Sequence, residues 1–195
     1  MKPDSRFVPQ SPATAEVVER GSRFLAFAQR ADSPEAARST VAELSKRFHD
    51  ATHVCYAWRI GAGSRAADSG EPAGTAGRPI LAAIDSAGLD ETLVAVVRWF
   101  GGTKLGTAGL ARCYAAAAKE ALAAAGRREI FETERIVIVC PYAKLARVKR
   151  LLAAAGVEAQ SSEFGESVKL LVEVRKSRVE DLRQALGDER VEISG

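Results

Sequence analysis

Apolar and polar positions along the chain change period several times, and each change marks an element. Residues 13–20 and 23–30 read as two strands folded about Gly21-Ser22, a hairpin pattern. Ser33-Pro34-Glu35 then opens a helix, with Ser as N-cap and Pro at the first helical position; Ala37, Val41, Leu44 and Phe48 follow at helical spacing. Residues 53–60 form a bulky strand carrying Tyr56 and Trp58. From 61 to 79 the chain is rich in Gly, Ser and Pro and predicts a long loop, a kind of segment that tends to carry function or disorder. A short helix is expected over 79–87. The run Leu93-Val94-Ala95-Val96-Val97 is apolar on both faces, which predicts a strand in the middle of a sheet. After the glycine loop 101–106, Thr107 is expected to cap a helix that runs to 125 and closes at Gly126, with Leu110, Tyr114, Ala118, Ala121 and Leu122 facing inward.

A second periodic unit begins near residue 133. Strand 135–140, helix 143–155, strands 157–164 and 167–175 across Gly165-Glu166, a helix opened by the capping box Ser177-Arg178-Val179-Glu180, and strand 190–194 give the order β-α-β-β-α-β. The expected inward residues are Leu145, Val148, Leu152 and Ala155 on the first helix, Val168, Leu170, Val172 and Val174 on the strand, and Val179, Leu182 and Leu186 on the last helix. The fold class is α+β, in two domains, 1–132 and 133–195.

Composition narrows the function. The 195 residues carry 28 basic and 25 acidic side chains, a net charge of +3. That is too little for a general duplex binder, so any nucleic-acid role must come from a local patch. No apolar run approaches the roughly 20 residues of a membrane span, and residues 1–9 lack an apolar leader core, so a cytoplasmic protein is expected. Cys55, Cys113 and Cys140 are scattered without a CxxC pair, which suits a reducing compartment and predicts neither a metal site nor a disulfide. His49-Asp50-Ala51-Thr52-His53 imitates a zincin motif, but it straddles a helix end and a strand start and has no third histidine.

Four blocks, Gly21-Ser22-Arg23-Phe24, Asp50-Ala51-Thr52-His53-Val54-Cys55-Tyr56-Ala57, Asp68-Ser69-Gly70-Glu71-Pro72-Ala73-Gly74-Thr75-Ala76-Gly77 and Val97-Arg98-Trp99-Phe100-Gly101-Gly102-Thr103-Lys104-Leu105-Gly106, together resemble the IMPACT/YigZ family over about residues 15–125. Departures are small: Ala108-Gly109-Leu110 stands where Gly-Gly-Leu is common, and Trp99 where Tyr is common. The resemblance implies a ribosomal-protein-S5-domain-2-like fold for the first domain and a ferredoxin-like fold, similar to a translation-factor domain, for the second. It implies no enzymatic activity and no cofactor. The eukaryotic relatives regulate translation under amino-acid starvation by binding a kinase-activating partner, through a docking region that chains of the bacterial type lack.

The candidate chemistry lies in two loops. In the first, Gly101, Gly102 and Gly106 leave a buried strand and enter a helix, so backbone N–H groups and the positive helix end can meet an anion. Arg98, Lys104 and Arg112 flank them, and no acid occurs between Glu91 and Glu120. Gly101 and Gly106 have Walker spacing, yet Thr107-Ala108 replaces the required Lys-Ser/Thr. Arg98 is expected to project from the strand's end. In the second loop, Asp68 and Glu71 are close enough to share a proton or a divalent ion, or else they neutralise Arg65 and Arg78. His53 is positioned to orient a ligand. The basic helix bearing Lys144, Arg147, Lys149 and Arg150 reads as a solvated face, and Cys113 as an inert buried thiol. Three functions remain open. One is a non-enzymatic, translation-associated protein holding RNA or a ribosomal surface on the ridge of Arg98, Lys104 and Arg112; the others are a small enzyme acting on a phosphorylated ligand, and a protein-interaction module.

Overall fold

The computed structural model describes residues 5–187 and, for the backbone, 192–194. It divides into two compact units: one spans Arg6–Ile130, and the other takes the chain from Phe131 onward.

In the first unit, β1 (Ser5–Pro9) precedes the hairpin of β2 (Ala13–Glu19) and β3 (Ser22–Arg30), then α1 (Pro34–Arg47), β4 (His53–Ile60), β5 (Gly63–Ala67), α2 (Gly77–Ala87), β6 (Thr92–Trp99), α3 (Gly106–Ala125) and β7 (Arg127–Phe131). Five strands form one sheet in the order β2-β3-β6-β4-β5, while β1 pairs with β7. β6 is the central strand, antiparallel to both β3 and β4, as its uninterrupted apolar run requires. On one face Phe24, Cys55, Val94 and Val96 pack beneath α2 and α3; on the other, Trp58 and Leu93 pack with Ala37 of α1. The N-cap of α1 is formed as expected, Ser33 Oγ accepting from Ala36 N–H at 3.2 Å.

Three expectations change in this unit. Residues 63–67 form an edge strand inside the expected long loop, paired with β4 across a tight turn at Gly61, whose φ is +56°. The true loop is therefore only residues 68–76. α2 begins at Gly77 rather than Pro79. α3 begins at Gly106 with Leu105 in the cap position, so Thr107 lies inside the first turn and does not cap it. β1 and β7 had no alternation to announce them, since each gains its partner only from the far end of the unit.

The second unit contains β8 (Thr133–Cys140), α4 (Tyr142–Ala154), β9 (Ala159–Phe164), β10 (Val168–Arg175), a 3₁₀ turn (Lys176–Arg178), α5 (Val179–Gly187) and β11 (Glu192–Ser194). Its sheet runs β11-β8-β10-β9, all neighbours antiparallel. Ile136, Ile138, Leu170 and Val172 meet Val148, Leu152, Leu182 and Leu186 in its core. Ser177 sits within the 3₁₀ turn, so the expected capping box is displaced: α5 begins at Val179 with Glu180 in its first turn. Residues 190 and 191 of the last expected strand lie outside the described residues. Arg147, Lys149 and Arg150 are exposed on α4.

Candidate functional site

Side chains on a strand alternate faces, so Arg98 lies on the same face as Val94 and Val96, beneath α3. This corrects the expectation that it projects freely from the strand's end. Arg98 is only 6% exposed. Its Nη1 donates to Glu71 Oε1 at 2.5 Å, and its guanidinium lies 5.4 Å from the Phe24 ring centroid and 5.7 Å from that of Phe100. Its Nε–H is buried without a hydrogen-bond partner. A buried guanidinium requires a buried countercharge, and the 68–76 loop supplies Glu71.

Glu71 Oε1 also accepts from Tyr114 Oη at 2.8 Å, joining the loop to α3. Cys55 Sγ lies 2.9 Å from the Asp68 carbonyl oxygen and 3.3 Å from Tyr114 Oη, its single S–H serving one at a time. Burial pushes the Cys55 thiol up to about 12, against the opposing effect of its hydrogen bond with Tyr114, and burial likewise raises Tyr114. Both stay protonated at neutral pH and act as donors, which makes Cys55 a poor nucleophile. Cys113 is buried as read from the sequence, and burial raises its thiol.

Asp68 and Glu71 do not share a partner. The Asp68 carboxylate accepts from the backbone N–H groups of Gly74 (2.7 Å), Ala76 (2.9 Å) and Gly77 (2.8 Å), closing the loop and capping α2 from nine residues upstream. Desolvation pulls its carboxyl upward, but these three bonds and nearby Arg78 outweigh it and hold the group below the usual carboxylate range. The sign follows: the contribution is complete above the unfolded pKa of about 3.9 and is lost as pH falls through the lower folded value. Asp68→Asn is therefore expected to flatten the acid limb of stability below about pH 4, and Asp68→Ala to cost about 1–2 kcal/mol as a lost cap. Urea melts at pH 3 and pH 7 check both; an unchanged acid limb in Asp68→Asn would remove this role.

The strand ends and the two loops enclose a cavity of about 350 Å³. Five sequence-predicted residues meet there: His53, Glu71, Arg98, Lys104 and Gly106. His53 Nδ1 lies 3.1 Å from the Ser69 carbonyl, which can only accept, so Nδ1 carries the proton and Nε2 is left for other partners. Gly70, at φ +95°, lets the loop pass so close that a Cβ would come within 2.9 Å of the His53 ring. Asp68, Gly101, Gly102 and Arg112 do not line the cavity: Arg112 is exposed along α3, and Gly101 packs its backbone on Gly21. The remaining wall is Thr52, Pro72, Phe100, Leu105, Thr107 and Leu110; the sequence marked Thr107 only as a cap and Leu110 only as an inward-facing helix residue. One available sign was Tyr114, since a tyrosine at an inward helical position demands a buried polar partner. Among the described residues, no group of three His, Cys, Asp or Glu side chains could hold a metal ion. No helix among them is long and apolar enough to cross a membrane.

The site is thus an anion-compatible recess: two full cations against one buried carboxylate, at the N-terminal end of a 20-residue helix, in a two-unit mixed α/β chain. The Impact N-terminal domain family matches residues 20–122, and a Domain of unknown function (DUF1949) matches residues 138–188. An IMPACT family member encoded in a pol 5′ region of Thermus thermophilus is 43% identical over 153 residues, covering 78% of this chain and 83% of that protein. The IMPACT family member YigZ of Escherichia coli is 31% identical over 190 residues, 95% of this chain and 93% of that one. A crystal structure of a hypothetical protein matches with a TM-score of 0.69 at 30% identity, over 97% of this chain and 96% of the other. The chain belongs to the IMPACT family.

Proposed function

We propose that this chain is a non-enzymatic, translation-associated regulator that holds an RNA phosphate at the glycine-loop cavity. The observation that carries the reading is the cavity's charge: Lys104 and the first turn of α3 face a recess whose one carboxylate, Glu71, is already paired with Arg98. The family resemblance supplies the translational context. In the same reading, residues 1–132 form a ribosomal-protein-S5-domain-2-like domain and residues 133–195 a ferredoxin-like one. The strand order β11-β8-β10-β9 supports the latter assignment. A phosphate-transfer enzyme is the weaker reading, because the carboxylates it would use are engaged in capping α2 and in pairing Arg98.

The test is the salt dependence of single-stranded RNA binding. Lys104→Ala should lower the log–log salt slope by about 0.7–0.9. Stability should change by less than about 1 kcal/mol, because Lys104 is exposed. An unchanged slope with the fold intact would sink the reading and favour a protein partner. Arg98→Ala is unsuited to this test, since it strips Glu71 of its countercharge.

A further inference from the structure

A backbone phosphate needs only a cationic surface, yet this site is a recess with apolar walls. Pro72, Phe100, Leu105 and Leu110 line it alongside the cations, and its volume of about 350 Å³ lies in the range that small-molecule sites occupy. Phe100 is 47% exposed, a large ring left in solvent at the rim of a charged cavity. Behind it stands Arg98, its side chain 7% exposed and its Nε–H without an acceptor. A helix N-terminus, an exposed aromatic and the cations Arg98 and Lys104 therefore converge on one recess. The helix end lacks an anion, and the ring lacks a flat apolar partner on its solvent side.

We infer that the cavity accommodates one nucleotide, its phosphate at Lys104 and the first turn of α3 and its base stacked on Phe100. Inorganic phosphate would leave the apolar walls unused, and an uncharged aromatic would leave the cations unmatched. An anion carrying a planar ring uses both, and the ring also matches the exposed face of Phe100. Aromatic stacking tolerates any base, so this geometry predicts binding with little base preference. The nucleotide can come from an unstacked position of an RNA chain or from the free pool. The inference rests on the anion-binding reading of this site and adds the ring.

The experiment is a calorimetric titration of the full chain with AMP, with ribose 5-phosphate and with a single-stranded oligonucleotide, repeated for Phe100→Ala and Phe100→Trp. AMP is expected to bind at least about tenfold tighter than ribose 5-phosphate. Phe100→Ala should erase that difference and Phe100→Trp should keep it, while neither changes the melting temperature appreciably. Displacement of AMP by the oligonucleotide assigns the site to RNA. AMP binding that the oligonucleotide neither matches nor displaces keeps the nucleotide site but overturns the RNA reading. Oligonucleotide binding that is indifferent to both Phe100 and AMP overturns the nucleotide site and leaves the RNA ridge standing. Equal affinity for AMP and ribose 5-phosphate in the unaltered chain also overturns it.

Discussion

Glu71→Ala should lower stability by about 3–5 kcal/mol, the cost of leaving a buried guanidinium without its countercharge. The residue lies on a loop, where most truncations cost little, so the effect comes entirely from Arg98 and Tyr114, which share its Oε1. Urea denaturation would show it as a lower midpoint at unchanged slope. Replacing both members, Glu71→Leu with Arg98→Met, should recover most of the loss, because a well-packed apolar pair often equals a buried ion pair. A loss below about 1 kcal/mol in Glu71→Ala would mean that Arg98 reaches water without it, and that the pair does not define the cavity floor.

Gly101→Ala is expected to be similarly damaging for a steric reason, costing about 3 kcal/mol or more. A Cβ there would stand 1.8 Å from the Gly21 carbonyl carbon and 2.1 Å from Ser22 N. Both obstacles are backbone, so no rotamer change relieves them. The β2–β3 turn and the exit of β6 would have to separate, breaking the Gly101 N–H bond to Ser22 Oγ. Gly102 supplies the internal control. Its φ is +87° but nothing lies within 4 Å of its Cβ position, so Gly102→Ala should cost only the backbone term of about 1–2 kcal/mol. Equal melting temperatures for the two variants would show that the turn and the loop are not in register-fixing contact.

The contrast between these two glycines also marks how far the sequence could be read. Local signals carried well: Ser33 with Pro34 capped α1, Gly126 closed α3, and the apolar run of β6 marked the centre of the sheet. All the inward residues expected on α3 and β10 are buried, from Leu110 and Tyr114 to Val172 and Val174. The buried face of α3 is wider than expected and also takes in Gly109, Ala117 and Ala125. What failed to show was set by contacts distant along the chain. Arg98 ends an alternating stripe and follows it inward, but only Glu71, 27 residues earlier, makes that burial tolerable. Asp68 and Glu71 look like a carboxylate pair because they are neighbours in sequence, whereas their partners lie on different elements. Edge strands such as β5, with exposed Gly63, Ser64 and Arg65, have no buried face to pattern.

The pairing of β1 with β7 bears on the timing of folding. Residues 5–9 have no strand partner until residues 127–131 exist. At roughly 5–20 residues per second, ribosomal synthesis leaves the opening segment waiting on the order of 6–24 s. β3 must likewise wait for β6, since Arg23 pairs with Trp99. Such long closures slow the search for the native state and prolong the exposure of unpaired strand edges. During that interval the newborn chain offers β2 and β3 as an unfinished hairpin. Its first unit closes only as the second begins to leave the ribosome.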